Sequence, residues 1–169
     1  MNQLNSAEDY FLKVLKPNKD AFFNHPSTFA NALNLATSLY HFNEWLHDQH
    51  QAALEAHLGK PLPKPWNLWT EVEKAGQNFG YIRDLTNASK HVIIGLSGAK
   101  PSTGMSHIAN THIVSTGYGM GGFGQGRYGG GPNVVFEDSG AQISFDQCAS
   151  DLFAYWKQLL EALTGQVYL

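Results

Sequence analysis

The strongest constraint on the fold is a helical hydrophobic pattern between Thr28 and Gly59. Its apolar side chains recur at helical spacing and are Phe29, Leu33, Leu35, Leu39, Phe42 and Leu46. This spacing places them on one face of an α-helix. Ser27 or Thr28 can cap the start, and Gly59 with the prolines that follow it stops the helix after about His57. The pattern therefore predicts one long helix with a buried face.

Three further segments show the same kind of pattern. The first starts at a capping-type Ser6, and we expect Pro17 to interrupt or end it. Another runs from about Asn67 to about His91. The last starts at a Ser144–Gln147 capping box and stops at Gly165. Together they predict a mainly α fold, an antiparallel up-and-down bundle of four long helices.

Two glycines lie inside the predicted 67–91 helix, at positions 76 and 80. Each costs roughly 1 kcal/mol relative to alanine in a helix interior. Their four-residue spacing places them near one face. We therefore expect a neighbouring helix to cross closely there.

A glycine-rich segment at about 95–143 separates the third and fourth predicted helices. It contains three short β-type runs, 112–115, 133–137 and 141–144, with an Asp-Ser-Gly turn between the last two. We therefore expect a small antiparallel β insertion of two or three strands before the last helix. Residues 1–169 are interpreted as a single domain that carries this insertion.

Composition and net charge restrict the ligands and the cellular compartment that we expect for this chain. The chain has 169 residues, a net charge of -3 and one cysteine, Cys148. An acidic chain lacks the global basic field that draws in nucleic acid, so any such contact would be local. One cysteine cannot form an internal disulfide. The sequence contains neither a signal-peptide pattern nor a run of about 20 apolar residues. These features predict a cytoplasmic protein without a membrane partner.

The segment 83–91 carries the most informative polar residues. At about 100° per residue, Arg83, Asp84, Asn87 and His91 fall in one broad stripe, with Lys90 at its edge. A guanidinium can hold an anion, and an imidazole titrates near neutral pH. The stripe is therefore a candidate site for binding and cleaving a phosphodiester.

A second polar face occurs on the predicted 28–57 helix, where His41, Glu44 and Asp48 follow one another at steps of three and four. If the two faces meet, Glu44, together with Asp84 and Asn87, would orient Arg83 and His91. The imidazole would then transfer protons of the RNA 2′-hydroxyl or the leaving oxygen. Arg83 and Lys90 would bind the phosphate, with His41 as a further substrate-binding group.

The same residues also have a purely structural interpretation. Glu44 and Arg83 could form an interhelical ion pair, and Asn87 and His91 could satisfy backbone groups. A metal interpretation would use His41, Glu44 and Asp48 with Asp84 or His91 from the next helix. The chain lacks a second Glu-x-x-His unit and any zinc-type Cys-His spacing. We therefore predict neither a metal site nor a cofactor.

The arrangement of helices, with Arg-Asp near the middle of a late helix and a downstream His, resembles the HEPN superfamily (higher eukaryotes and prokaryotes nucleotide-binding). It is also similar to a group of uncharacterised bacterial proteins with three shared features. These are a His-x-x-Glu/Asp-Trp helix, an Arg-Asp-x-x-Asn-x-x-Lys-His helix and a Gly-Tyr-Gly arm. Here they correspond to 41–45, 83–91 and Tyr118 to Gly131.

The resemblance implies an all-helical bundle, often dimeric, and in many members a metal-independent ribonuclease with its site across the dimer. It places Arg83, Asp84 and His91 at the motif positions. Seven residues separate Arg83 from His91, one more than the motif allows. The expected function is an endoribonuclease of a defence or toxin–antitoxin system. The alternative is a catalytically inert homo-oligomeric module.

The glycine-rich arm from Tyr118 to Gly131 contains GxGxxG twice. A dinucleotide-binding turn requires a helix directly after the glycines, and here Pro132 and a β-type run follow. Two uses remain. Arg127 and the neighbouring aromatic residues could bind RNA, or the arm could bind a neighbouring subunit or another protein. We favour the contact with a neighbouring subunit, because an acidic chain with one arginine in this arm is a poor general platform for RNA.

Overall fold

The computed structural model describes residues 3–26, 28–76, 78–91, 93, 101–105, 107–116 and 131–169, without the side chains of 115, 116, 131 and 132. In this part the chain forms five helices, where four long ones were predicted, a short 3₁₀ helix Ile108–Asn110 and one three-stranded sheet. The predicted mainly α class with a small antiparallel β insertion is confirmed. The arm from Tyr118 to Gly130, including Arg127, lies outside the described residues.

The first helix, α1, consists of three consecutive segments: Ala7–Tyr10, a π-helix Phe11–Leu15, and Lys16–Asn24. Ser6 caps it, with Oγ accepting from the Asp9 N–H at 3.1 Å. The expected interruption at Pro17 is wrong. The wider π turn, in which the Lys16 N–H bonds to the Phe11 carbonyl, accommodates the proline ring in the first turn of the third segment.

The long helix α2 spans Phe29–Leu58, as the hydrophobic pattern predicts. It ends at Gly59, which adopts the left-handed conformation with φ 68°. Within α2, His50 departs from helical geometry with φ -125° and ψ 21°, which marks a kink. At this kink the His50 ring pairs with Glu8 of α1 at 3.1 Å.

The predicted helix 67–91 is two helices, α3 Pro65–Lys74 and α4 Phe79–His91. Positive φ angles at Gly76 (75°) and Asn78 (54°) turn the chain between them. The expectation of a helix crossing at the two glycines is also wrong. Gly76 belongs to this turn, whereas at Gly80 an added Cβ would lie 2.7 Å from Ser102 Oγ, in a loop.

The sheet has the order β1 Thr111–Thr116, β2 Gly131–Asp138, β3 Ala141–Ser144, with both pairings antiparallel. Ser139 and Gly140 connect β2 to β3 with φ angles of 53° and 85°, which is the pattern of a type I′ hairpin turn. Helix α5, Phe145–Thr164, starts at Ser144, whose Oγ accepts from the Gln147 N–H, and ends at left-handed Gly165.

One hydrophobic core joins the helices to the sheet. Trp156 of α5 lies at its centre, fully buried, and donates its indole N–H to the Leu39 carbonyl of α2 at 3.1 Å. Phe79 of α4 packs edge-on against Trp156 and stacks on Tyr40 of α2. The core therefore holds α2, α4 and α5 around one aromatic cluster.

Contacts along α4 define its direction relative to α2. Tyr81 stacks on Phe136 of β2, Phe136 contacts Phe145, and Phe145 contacts Phe22 near the end of α1. The neighbouring Ala21 carbonyl accepts from Asn31, close to the start of α2. Helix α4 therefore runs from Tyr40 towards the start of α2, antiparallel to it.

Trp156→Phe should lower the free energy of unfolding by about 1–3 kcal/mol, because it leaves the buried Leu39 carbonyl without its donor and opens a small cavity. Urea denaturation followed by circular dichroism measures this. Trp66→Phe is the matched control, since Trp66 is 55% exposed, and should change stability by less than about 0.5 kcal/mol. Equal effects of the two substitutions would contradict the central role of Trp156.

Candidate functional site

All five candidate site residues of the 83–91 motif lie on α4, but they differ in exposure. Asp84 is completely buried, Arg83 and Asn87 are partly buried, and Lys90 and His91 are exposed in the last turn. The motif is therefore buried or partly buried near Arg83 and Asp84 and exposed at Lys90 and His91.

The Asp84 carboxylate binds a loop from the β insertion. Its oxygens accept from the backbone N–H groups of Ser102 and Thr103, each at 2.9 Å, and from the Thr103 hydroxyl at 2.8 Å. The Ser102 hydroxyl lies at 3.4 Å. A buried carboxylate requires such donors because burial removes its hydration. Asp84 therefore ties the 101–105 loop to α4.

The Arg83 guanidinium lies between two carboxylates. Its Nε and Nη2 are 3.4 Å from Asp84 Oδ1, and Nη1 is 3.9 Å from Glu73 Oε1 on α3. The side chain is 17% exposed. Arg83 therefore links α3, α4 and the Asp84 carboxylate, and a small part of its surface reaches solvent.

A second carboxylate holds the other side of the same loop. Asp138, at the end of β2, accepts from the Tyr81 hydroxyl at 2.9 Å and from the Gly104 N–H at 3.1 Å. These bonds, that of Tyr81 first, lower the pKa of Asp138. Burial and the hydrogen bond to Asp138 raise the pKa of Tyr81 to about 12. The loop is therefore clamped between α4 and the sheet.

His91 lies two turns beyond Arg83, in the last turn of α4. A rise of 1.5 Å per residue separates their Cα atoms by about 12 Å along the helix axis, and the helical phase leaves them about 80° apart. Asn87 lies midway between them, about 40° from each. The structure places the three residues in one stripe.

The polar face of α2 has its own pairing. His41 Nδ1 lies 3.1 Å from Glu44 Oε2, and both side chains are substantially exposed. Glu44 is one turn past Tyr40, whereas His91 is about 18 Å beyond Phe79 in the opposite direction along the bundle. The structure therefore pairs Glu44 with His41 and does not bring it to His91.

The pKa of Tyr40 is affected by charges from both polar faces. Burial, and then the negative charge of Glu44, raise the pKa of Tyr40 to about 12, while Arg83 opposes the shift. The charges of Glu44 and Arg83 therefore both act on the Tyr40 phenol. Within the described ranges, no three His, Cys, Asp or Glu side chains are grouped so that they could share a metal ion.

Sequence reasoning missed the residues that hold the motif and the 101–105 loop in place. Glu73, Ser102 and Thr103 contact Arg83 or Asp84, and Tyr81 and Asp138 hold the other side of the loop. The loop residues are 18 and 19 positions from Asp84, and no helical or strand period connects them to it. One signal was available: Gly80 lies one turn before Asp84, and a glycine inside a helix indicates a close approach of another segment.

Comparison of the chain with protein-family models, with curated proteins and with solved structures finds no match. None of the helices that the structure describes combines the length and the apolar character needed to cross a membrane.

Asp84→Ala should lower the free energy of unfolding by about 3–5 kcal/mol, because the loop N–H groups and the partly buried Arg83 lose their shared acceptor. Chemical denaturation measures the change. Asp20→Ala, an exposed aspartate on α1, is the control and should change stability by less than about 0.5 kcal/mol. A loss below about 1 kcal/mol for Asp84→Ala would show that the clamp is dispensable.

The lowered pKa of Asp138 predicts a dependence of stability on acid. The contribution of Asp138 to the free energy of unfolding is complete above the ordinary carboxyl pKa of 3.8. It is lost as pH falls through the lower pKa of Asp138 in the folded state. Thermal melts between pH 5 and pH 2 should show a smaller acid-induced decrease in Tm for Asp138→Asn than for the wild type. Identical slopes would indicate that Asp138 is not linked to folding.

Proposed function

We propose that the chain is a HEPN-like, metal-independent endoribonuclease whose catalytic groups lie on α4. His91 transfers protons, Arg83 and Lys90 bind phosphate, and Asn87 orients Arg83 and His91. Asp84 is a positioning residue that holds Arg83. A defence or toxin–antitoxin setting follows from the HEPN resemblance alone. Glu44 and His41, which pair with each other on α2, are outside this set.

One observation carries the proposal: a single stripe of α4 presents an exposed imidazole and ammonium in its last turn and, two turns earlier, a guanidinium that a buried carboxylate holds in place. RNA cleavage by 2′-hydroxyl attack needs a group that moves protons and a cation that stabilises charge at phosphorus. These residue types provide both without a metal ion.

The spacing favours a site shared between two protomers. Within one chain, the Cα atoms of Arg83 and His91 are about 12 Å apart along the axis, and the Arg83 guanidinium is engaged by Glu73 of α3 and by Asp84. Arg83 and His91 are placed symmetrically about Asn87. Two antiparallel α4 helices related by a twofold axis near Asn87 would bring Arg83 of one protomer close to His91 of the other. The proposal therefore includes a homodimer with two composite sites.

A second candidate, a catalytically inert homo-oligomeric module, is favoured by the partners of Arg83 and Asp84. Both side chains hold α3, α4 and the 101–105 loop together, which is a sufficient structural role for them. In this interpretation the arm from Tyr118 to Gly131 binds a partner protein. The two candidates differ in the role of the exposed His91. It transfers protons in the ribonuclease and has no catalytic role in the inert module.

Cleavage of a labelled RNA pool in the presence of EDTA tests the proposal. His91→Ala should reduce the rate by about 10²-fold or more, the usual contribution of a general acid or base. His57→Ala is the matched control, since His57 is also an exposed histidine in the last turn of a helix. It should leave the rate unchanged. Absence of cleavage by the wild type, or equal rates for both variants, would favour the inert module.

Mixing two inactive variants tests the composite site. Arg83→Gln and His91→Ala, combined under conditions that allow subunit exchange, should recover about a quarter of wild-type activity. Half of the dimers would be mixed, and each would retain one intact Arg83–His91 pair. If both groups act within one protomer, mixing restores nothing. Light scattering on the same samples measures the oligomeric state, and melting temperatures separate loss of activity from loss of fold.

A further inference from the structure

An ion pair between Glu73 and Arg83 joins the last turn of α3 to the second turn of α4. Glu73 Oε1 lies 3.9 Å from Arg83 Nη1, which is within ion-pair range but beyond hydrogen-bonding distance. Asp84 contacts the same guanidinium through two other nitrogens, Nε and Nη2. The two carboxylates therefore address different nitrogens of one cation.

Glu73 is poorly stabilised in this position. Its Oε1 is buried and accepts no hydrogen bond, so the cost of removing this oxygen from water is not offset by a donor. The last turn of a helix is also unfavourable for a carboxylate, because the negative end of the helix dipole lies there. The side chain as a whole is 33% exposed. Glu73 can therefore turn away from Arg83 towards solvent.

Asp84, in contrast, is fixed beside Arg83. It is completely buried, and its oxygens accept from the backbone N–H groups of Ser102 and Thr103 and from the Thr103 hydroxyl. Moving it would leave these donors without an acceptor. Of the two carboxylates, Glu73 is thus the one that can be displaced.

The charges around Arg83 oppose the binding of an anion. One guanidinium stands between two carboxylates, Glu73 and Asp84, which gives this cluster a formal net charge of about -1 at neutral pH. Lys90 and His91 lie about 10–12 Å further along the axis of α4, a distance at which salt screens much of their charge. A phosphate that approaches Arg83 therefore meets net negative charge unless Glu73 moves away.

We propose that Glu73 is an autoinhibitory residue: its carboxylate occupies one side of the Arg83 guanidinium and must be displaced by an RNA phosphate. This inference rests on the proposed phosphate-binding role of Arg83. Carboxylate and phosphate compete because both are anionic acceptors that pair with a guanidinium. Glu73 acts through Arg83 and is not a catalytic residue. In the resting protein the contact lowers the affinity for RNA.

Binding of a fluorescein-labelled 12-nucleotide 2′-O-methyl RNA tests the inference, because this probe has phosphates but no 2′-hydroxyl that could react. Fluorescence anisotropy at constant salt measures the affinity. Glu73→Gln should bind the probe about three- to tenfold more tightly than the wild type. A gain of less than about twofold would overturn the proposal.

Glu71→Gln is the matched control. It makes the same change of charge on the same helix, but Glu71 pairs with Lys60 and Lys74 instead of Arg83. It should change the affinity by less than about twofold. An equal gain in both variants would reflect net charge alone and would overturn the proposal.

The gain from Glu73→Gln should require Arg83. Arg83→Gln and the double variant Glu73→Gln/Arg83→Gln should bind the probe equally, within about twofold. A gain that persists without Arg83 would overturn the proposal, and the comparison with Glu71→Gln remains decisive if loss of Arg83 unfolds the chain. The Tm of Glu73→Gln should stay within about 2 °C of the wild type. A larger decrease without tighter binding would show that Glu73 has a structural role only.

Failure of this inference can be distinguished from failure of the proposed function. If the wild type and Glu73→Gln bind the probe equally, and Arg83→Gln weakens binding, Arg83 binds phosphate and only the autoinhibition is overturned. If Arg83→Gln folds and binds the probe as well as the wild type does, the phosphate-binding role of Arg83 is wrong and both proposals fail.

Discussion

The buried Asp84 carboxylate is the interaction on which the arrangement of helices and β insertion depends. A charge without solvent access must be neutralised by donors, and these come from a loop 18 and 19 residues further along the chain and from the adjacent Arg83. Gly80 allows the loop to approach because its missing Cβ leaves space for Ser102. One carboxylate thus joins α4, the loop and, through Arg83, α3.

Hydrophobic spacing and turn chemistry predicted most of the fold. Patterns among residues that are close in sequence predict the α2 boundaries, the three strands and the glycines at 59 and 165 that end helices. The errors occur where backbone geometry overrides the pattern. The π turn before Pro17 continues a helix that proline alone should stop, and left-handed Gly76 and Asn78 divide a helix whose apolar stripe is continuous across the break.

The polar residues were predictable as a set, but not in their individual roles. Helical phase groups Arg83, Asp84, Asn87 and His91 correctly, because all of them lie on α4. Phase does not reveal that α4 runs antiparallel to α2, and this direction separates Glu44 from His91. It also does not reveal which residue is buried. Tertiary packing buries Asp84 and leaves His91 exposed. Asp84 therefore stabilises the fold, whereas His91 lies at the surface.

The clamp around the 101–105 loop also affects how the chain responds to being cut. Ile93 bridges to His107 on one side of positions 94–100, and Asp84 and Asp138 hold Ser102 to Gly104 on the other. Both ends of that interval are thus fastened to the body by contacts other than the peptide chain between them. A chain cut between these two attachments would therefore keep its two pieces in contact through the Asp84 and Asp138 hydrogen bonds and the shared core.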